Sequence, residues 1–244
     1  MVTFQHWQLV YLMVVGNHIL RFSATENATH PFLSNSSKCQ HSNEFRGLRT
    51  VGILFCAVGC CSLVFIGLFE TFSPRLYSYY QDTLTTLAQW SSKPLERLYP
   101  GTAFAAASIN FGPQTISYPH RDFANLSWGW CAITALGSYD PDQGGHLVLW
   151  DLKYVIRFPP GATILIPSAM IKHSNTSIKM GETRYSFAQY SSGGLFQWVD
   201  NGFMKDDDWH AKATAQQLQE REEARKLRWS KGLDMLSLWD EFSS

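Results

Sequence analysis

The sequence has no excess of charge, because 20 Lys and Arg residues balance 20 Asp and Glu residues. A neutral chain gives no electrostatic indication of nucleic-acid binding, although a local basic patch is compatible with a neutral total. Cysteine is scarce: the chain has five, and three of them, Cys56, Cys60 and Cys61, lie in one apolar run. No two cysteines have C-x-x-C spacing. These features argue against a disulfide scaffold and against a cysteine zinc site.

Charge is entirely absent from residues 51–69, a stretch long enough to span a bilayer. Three interpretations stay open: a transmembrane anchor, a buried or surface-packed helix, or a segment foreign to the working protein, such as a wrongly predicted exon. The preceding stretch 23–45 is rich in Ser, Asn and Thr, which is typical of loop or disorder. We expect a poorly ordered region over 1–70 with a candidate transmembrane segment at 51–69, through which the protein would associate with a membrane.

The next region, 71–102, is expected to be a helical lead-in. Between Ser73 and Leu98, apolar residues recur at steps of three and four, which predicts a helix. At the other end of the chain, 206–244 is expected to be a helical extension. Thr214 and Gln217 there have the spacing of a capping box. This extension either packs on the rest of the protein with a solvated outer face or binds a partner.

Residues 103–205 have the sequence pattern of a β-rich domain: short runs of β-branched and aromatic residues alternate with turns that contain Gly, Pro, Asp and Asn. Seven strands are predicted there: Phe104–Phe111, Trp128–Leu136, His146–Trp150, Tyr154–Arg157, Thr163–Ile166, Ile171–Ser174 and Arg184–Tyr190. No long helical pattern separates them, which argues against a parallel α/β sheet. We therefore expect a mainly β protein with flanking helices, whose core is a double-stranded β-helix, a jelly roll of the cupin kind.

The stretch "SYPHRDFAN" carries the first candidate metal ligands, His120 and Asp122. In extended chain, residues two apart point to the same side, so both side chains can reach one point. His173 is the expected third ligand, and His146 is its rival. Two histidines and one carboxylate form the facial triad of non-haem Fe(II) oxygenases. Taken alone, the H-x-D pattern is also compatible with a polar turn.

Arg184 and Ser186 lie eleven and thirteen residues after His173, on one predicted strand and on one side of it. A guanidinium with a neighbouring hydroxyl suits the carboxylate of a dicarboxylic acid. 2-Oxoglutarate is such a molecule, and its keto-acid end chelates iron. The order H-x-D, then H, then R-x-S therefore predicts a dioxygenase that uses Fe(II), 2-oxoglutarate and dioxygen. Ascorbate is the expected reductant for such an enzyme.

Residues 103–203 resemble the oxygenase domain of the TET/JBP family of Fe(II)/2-oxoglutarate-dependent dioxygenases, and in particular its fungal, transposon-associated members. The motifs that carry the resemblance are "FAAASINFGPQT", "PHRDFANLSWGWCAITALG", "GGHLVLWDL", "FPPGATILIPSA", "HSNTS" and "GETRYSFAQYSSGGLFQWVDNGF". The resemblance implies a double-stranded β-helix. It also implies stepwise oxidation of the methyl group of 5-methylcytosine, or of thymine or N6-methyladenine in some members, in the course of DNA demethylation.

The resemblance also implies residue roles. His120, Asp122 and His173 match the iron ligands, and Arg184 and Ser186 match the 2-oxoglutarate site. Two further residues match positions that hold the flipped base: Asn125 by hydrogen bonding and Tyr190 by stacking. Each has a plain structural alternative, a turn cap for Asn125 and core packing for Tyr190.

The charge balance leaves other functions open, since residues 103–204 contain six basic and six acidic residues. One alternative is a dioxygenase of the same chemistry acting on a small molecule or a protein side chain, and another is a metal-binding jelly roll without turnover. The expected partners are DNA carrying a methylated base, flipped or single-stranded, and 2-oxoglutarate, and no protein partner is implied. A DNA-acting enzyme would be nuclear, and a true span at 51–69 would place it at a membrane.

Overall fold

The computed structural model describes residues 67–92, 95, 101–238 and 241 of the chain. Most of the apolar run 51–69 lies outside these residues. Its end is helical over 67–69, and Phe69 is fully buried. Within the described part of the chain, no helix combines the length and the apolar character that a membrane span requires.

Within the described residues, seven strands and four helices follow the helical segment 67–72. The elements are α1 Pro74–Trp90, β1 Ala106–Asn110, β2 Cys131–Ser138, β3 Leu147–Leu149, β4 Tyr154–Ile156, β5 Thr163–Ile166, β6 His173–Asn175, β7 Thr183–Tyr190, α2 Gly193–Asp200, α3 Asp206–Lys212 and α4 Ala215–Asp234. Each strand lies at or near a predicted one. Helix α1 ends at Trp90, short of the predicted Leu98, where two serines and then Pro94 follow in the sequence. Proline lacks the N–H that a helix needs and disfavours helical backbone in the residue before it.

The strands form two antiparallel sheets, one of four strands in the order β1-β7-β2-β5 and one of three in the order β4-β3-β6. Both sheets contribute to one apolar cluster: Ala135 and Ile164 come from the first sheet, and Leu147 and Leu149 from the second. The two sheets therefore face each other. The fold is mainly β with flanking helices, and its core is a double-stranded β-helix, as the sequence predicted.

The outer face of the four-stranded sheet packs on the helices. Ala132 and Leu136 of β2 and Phe187 of β7 point to this side, where they meet an aromatic cluster around Phe69 and Tyr80. Side chains alternate along a strand, so the neighbouring residues of β1, β2 and β7 point inward between the sheets. At one end of the sandwich these inward residues are polar, and a cavity opens there.

Helix α2 was not predicted from the sequence. It begins directly after β7, where the Ser192 hydroxyl accepts a hydrogen bond from the Gly194 N–H at 3.2 Å. Its buried residue Phe196 stacks on Tyr79 of α1, with ring centroids 5.0 Å apart. The capping box predicted for the last helix is present: Thr214 accepts from the Gln217 N–H, and Gln217 accepts from the Thr214 N–H.

Candidate metal centre

The two segments that carry the candidate ligands are hydrogen-bonded to each other. The His120 N–H donates to the His173 carbonyl at 3.0 Å, and the His173 N–H donates to the His120 carbonyl at 2.9 Å. Two residues on, the Asp122 N–H donates to the Ser168 carbonyl at 3.0 Å. The two His120–His173 bonds pair residues that are fifty-three apart in sequence, and the side chains of all three predicted ligands point to the same place.

One donor atom from each of His120, Asp122 and His173 lies within 4.8 Å of the others. The His120 Nε2 is 3.5 Å from one carboxylate oxygen of Asp122, and the His173 Nε2 is 3.9 Å from the other. The rival ligand His146 is not part of this cluster. Its imidazole Nδ1 is buried and has no hydrogen-bond partner among the described residues.

Both histidines are held in the form that binds a metal through Nε2. The Nδ1 atom of His120 is 2.7 Å from the Tyr118 carbonyl, and that of His173 is 2.9 Å from the Ile171 carbonyl. Because a carbonyl only accepts hydrogen bonds, Nδ1 carries the proton in each ring and Nε2 keeps a free lone pair. Burial lowers the pKa of His173, which further favours the neutral ring. Two imidazoles and one carboxylate are a donor set that suits Fe(II).

A network beside the ligands fixes their two segments relative to each other. The Arg121 guanidinium donates to both carboxylate oxygens of Asp151, at 2.9 and 3.1 Å, and to the Met170 carbonyl at 2.8 Å. Asp151 also accepts from the Lys172 N–H at 2.6 Å, one residue before His173. Arg121 stands between the two ligands of the H-x-D pattern. The ion pair therefore links the loop that carries His120 to the strand that carries His173.

Arg184 and Ser186 line the same cavity as the three donors, on the inward face of β7. Arg184 is 2% exposed, and no carboxylate pairs with it among the described residues. Its Nε has no hydrogen-bond partner there, and its Nη1 makes only a long bond of 3.4 Å to the Thr115 carbonyl. Burial lowers the pKa of Arg184, and a hydrogen bond with Tyr139 opposes this. A buried guanidinium without a carboxylate partner is expected to receive an anionic ligand.

The residues expected to hold a base also lie at this cavity. Asn125 donates from its side-chain amide to the Ser168 hydroxyl at 3.0 Å, which leaves its carbonyl oxygen without a partner among the described residues. Tyr190 lines the cavity at the end of β7 and belongs to neither apolar cluster. The placement of Tyr190 favours a cavity role over core packing. Asn125 also closes a turn through its backbone N–H, which bonds the Asp122 carbonyl at 2.9 Å.

Sequence reasoning missed several residues of the cavity, which has a volume of about 480 Å³. Asn110 donates to the Ser186 hydroxyl at 2.8 Å, and so positions the hydroxyl beside Arg184. Asn175 accepts from the Ser117 N–H at 2.7 Å and holds the segment before His120. Cys131 is buried next to Asp122, and burial raises its pKa to about 12. The alternation of side chains along β1 could have indicated Asn110 as a cavity residue, because it lies on β1 opposite Ser186.

The fold and this site together define a class, a jelly-roll protein with a His-Asp-His candidate metal site facing a buried arginine. No protein-family model matches the sequence, and no curated protein matches it. Among solved structures, the chain is similar to NgTET1 in complex with 5mC DNA, at 18% identity and a TM-score of 0.35, over 38% of this chain and 36% of that one.

The chain is also similar to the viral collagen prolyl hydroxylase of Paramecium bursaria Chlorella virus 1. Its 2OG complex matches at 16% identity and a TM-score of 0.26, over 35% of this chain and 60% of that one. A truncated form matches at 17% identity and a TM-score of 0.26, over 34% and 52%. The chain thus spans less than two thirds of each of these proteins. The likeness concerns part of the fold alone.

Proposed function

We propose that the protein is an Fe(II)/2-oxoglutarate-dependent dioxygenase that oxidises the methyl group of a modified base in DNA. The preferred substrate is 5-methylcytosine, converted to 5-hydroxymethylcytosine and further products, with N6-methyladenine or thymine as the other candidate bases. One observation supports the dioxygenase above all: three metal donors line the same cavity as a buried guanidinium that has no carboxylate partner among the described residues.

Different residues would bind the metal and the cosubstrate. His120, Asp122 and His173 would hold Fe(II) through two Nε2 atoms and a carboxylate oxygen, and Arg184 with Ser186 would bind the far carboxylate of 2-oxoglutarate. When bound, iron and 2-oxoglutarate supply the oxidation, in which one atom of dioxygen enters succinate, carbon dioxide leaves, and the other atom becomes a hydroxyl on the methyl carbon. The chain orients the substrate methyl group and limits access of water to the cavity.

Asn125 and Tyr190 are the proposed base-binding residues. A methyl group inside a duplex cannot reach a site between two sheets, so the base must be flipped out or come from a single strand. The free carbonyl oxygen of Asn125 can accept from an exocyclic amine, and the Tyr190 ring offers a face for stacking. Both side chains line the cavity that holds the metal donors.

A second candidate is a dioxygenase of the same chemistry that hydroxylates a small molecule or a protein side chain. The even balance of charges over residues 103–204 favours it, because nucleic-acid binding normally relies on a basic surface. The third candidate, a metal-binding jelly roll without turnover, differs from both in that it would release no succinate.

The test is nucleoside mass spectrometry after incubation of the full chain with Fe(II), 2-oxoglutarate and ascorbate. The substrates are oligonucleotides that carry 5-methylcytosine, N6-methyladenine or thymine. We expect an oxidised base, formed together with succinate. Succinate without any oxidised base would reject DNA as substrate and favour the second candidate, and the absence of both would reject the enzyme.

Asp122→Ala should remove bound iron and all 2-oxoglutarate turnover, because two imidazoles alone do not complete the donor set. Metal content by mass spectrometry and succinate release measure the two effects. The matched control is Asp142→Ala, which removes an exposed carboxylate that pairs with Arg157 outside the cavity. Turnover by the Asp122 variant at the rate of the control would show that the ligands are assigned wrongly.

A further inference from the structure

A second cavity, of about 740 Å³, lies beside the candidate metal centre. It is a groove between the loop that follows Asp122, helix α2 and the C-terminal helix α4. Three residues, Phe123, Ala124 and Asn125, line both this groove and the metal cavity. A ligand in the groove would therefore continue directly into the metal cavity past Asn125.

The charge of the groove is positive, unlike that of the β domain. Arg221, Arg228 and Lys231 of α4 line it, and Asp200 is the one acidic residue among its lining side chains in the described chain. Residues 103–204 alone carry equal numbers of basic and acidic residues. The basic side of the groove thus comes entirely from the C-terminal helix, which packs against the domain where Gly232 contacts the indole of Trp128.

Two of these basic side chains have no ion-pair partner among the described residues. Arg221 is partly engaged, since its guanidinium binds Asp206 and lies 4.2 Å over the ring of Trp209. Arg228 and Lys231 are exposed and make no ion pair within 4.0 Å in the described chain, although burial raises the pKa of Asp200 across the groove and the charge of Arg228 acts against this rise. They are three residues apart, hence on one face of the helix and about 4.5 Å apart along its axis.

Aromatic side chains line the same groove as the basic ones. Phe123 is 80% exposed at the junction with the metal cavity, whereas Trp209 is half-buried and covered by the guanidinium of Arg221. An exposed aromatic ring beside basic side chains is a combination that binds single-stranded nucleic acid, in which bases stack and phosphates contact cations. An apolar peptide or a neutral small molecule would offer no negative charge to pair with Arg228 and Lys231.

We propose that this groove, the basic groove, holds the sugar–phosphate backbone of the strand whose methylated base enters the metal cavity. Arg228 and Lys231 contact phosphates, and Phe123 stacks on a base next to the flipped one. The proposal rests on the proposed DNA substrate. It adds that the C-terminal helix, and not the β domain, supplies the electrostatic contacts.

The test measures binding of a fluorescent single-stranded oligonucleotide carrying 5-methylcytosine to the full chain over a series of salt concentrations. Each phosphate contact contributes about 0.7 to the slope of log affinity against log salt for single strands, so Arg228→Gln/Lys231→Gln should reduce the slope by about 1.4. The ratio of the variant's Kd to the wild-type Kd should then be about sevenfold larger at roughly 50 mM salt than at roughly 200 mM salt.

Arg225→Gln/Lys226→Gln is the matched control, because it removes the same charge from α4 at positions that do not line the groove. Arg225 pairs with Glu222 at 2.9 Å. Thermal unfolding and substrate-free turnover of 2-oxoglutarate should be the same for wild type and both variants. Equal salt slopes for the two double variants, whether both changed or both unchanged, would overturn the groove proposal. If the wild type does not bind the oligonucleotide, the proposed DNA substrate itself fails.

Discussion

Replacing Arg184 by leucine should leave the ligand-free protein at least as stable as the wild type, while its affinity for 2-oxoglutarate is lost. Arg184 is buried, has no carboxylate partner in the described chain and leaves its Nε without a hydrogen bond. Its removal exposes no new unsatisfied group at Tyr139, whose hydroxyl still donates to the Phe158 carbonyl. A residue that only supports the fold would show the opposite behaviour.

The two effects differ in sign and are large enough to separate. Replacement of buried ionic groups by apolar side chains of similar volume is often neutral or stabilising by about 1–4 kcal/mol. Removing one member of a buried, hydrogen-bonded charge pair costs about 2–5 kcal/mol of binding. Since about 1.4 kcal/mol is a factor of ten, the Kd for 2-oxoglutarate should rise about 30- to 4,000-fold.

Urea unfolding with and without 2-oxoglutarate, in the presence of Mn(II) as a redox-inert stand-in, measures both quantities. At about a hundred times its Kd, the ligand should stabilise the wild type by about 2.7 kcal/mol and the Arg184→Leu variant hardly at all. Arg157→Leu, which removes an exposed arginine outside the cavity, should respond to the ligand as the wild type does. A large loss of stability with unchanged ligand response would refute the assignment of Arg184 as the carboxylate-binding residue.

Two further predictions concern the packing of α4 and the ligand-bearing segments. Gly232→Ala should lower the free energy of unfolding, measured in urea, by about 1 kcal/mol. The added Cβ would collide with Trp128, and this cost exceeds the gain in helix propensity from replacing glycine by alanine. Gly112→Ala is the control, because its Cβ would meet only one atom at 3.7 Å, and it should change the free energy of unfolding by less than about 0.5 kcal/mol. Arg121→Met should weaken metal binding about 10- to 100-fold in a metal titration, because it breaks the link to Asp151 without removing a ligand, and an unchanged affinity would contradict that positioning role.

The strands were predictable because each carries its own local signal. In β2 and β7, side chains alternate between an apolar cluster and the cavity, and turn residues mark the strand ends. Helix α2 had no such signal: its first residues, Gly193 and Gly194, indicate a turn in isolation. The helix forms because Ser192 caps it and because Phe196 packs on the aromatic side chains of α1. The packing of Phe196 is a tertiary contact that the local sequence does not show.

The candidate ligands were predictable because the spacing of His120 and Asp122 reflects the geometry of an extended chain, which holds even though the two residues lie in a loop and not in a named strand. Their neighbours were not. Asn175 enters the cavity because of a hydrogen bond to Ser117, fifty-eight residues away. The basic groove likewise depends on where the C-terminal helix packs, and the sequence of that helix alone is compatible with a solvated face.

The two faces of strand β7 carry different kinds of side chain. Tyr185 and Phe187 face the apolar side, whereas Arg184, Ser186 and Tyr190 face the cavity. An insertion or deletion of one residue within this strand would exchange the two sets and would damage folding and ligand binding together. Substitutions on the cavity face alone leave the apolar side intact, so a lineage of such proteins could change its substrate by mutation at Tyr190 or Ala188 at little cost in stability.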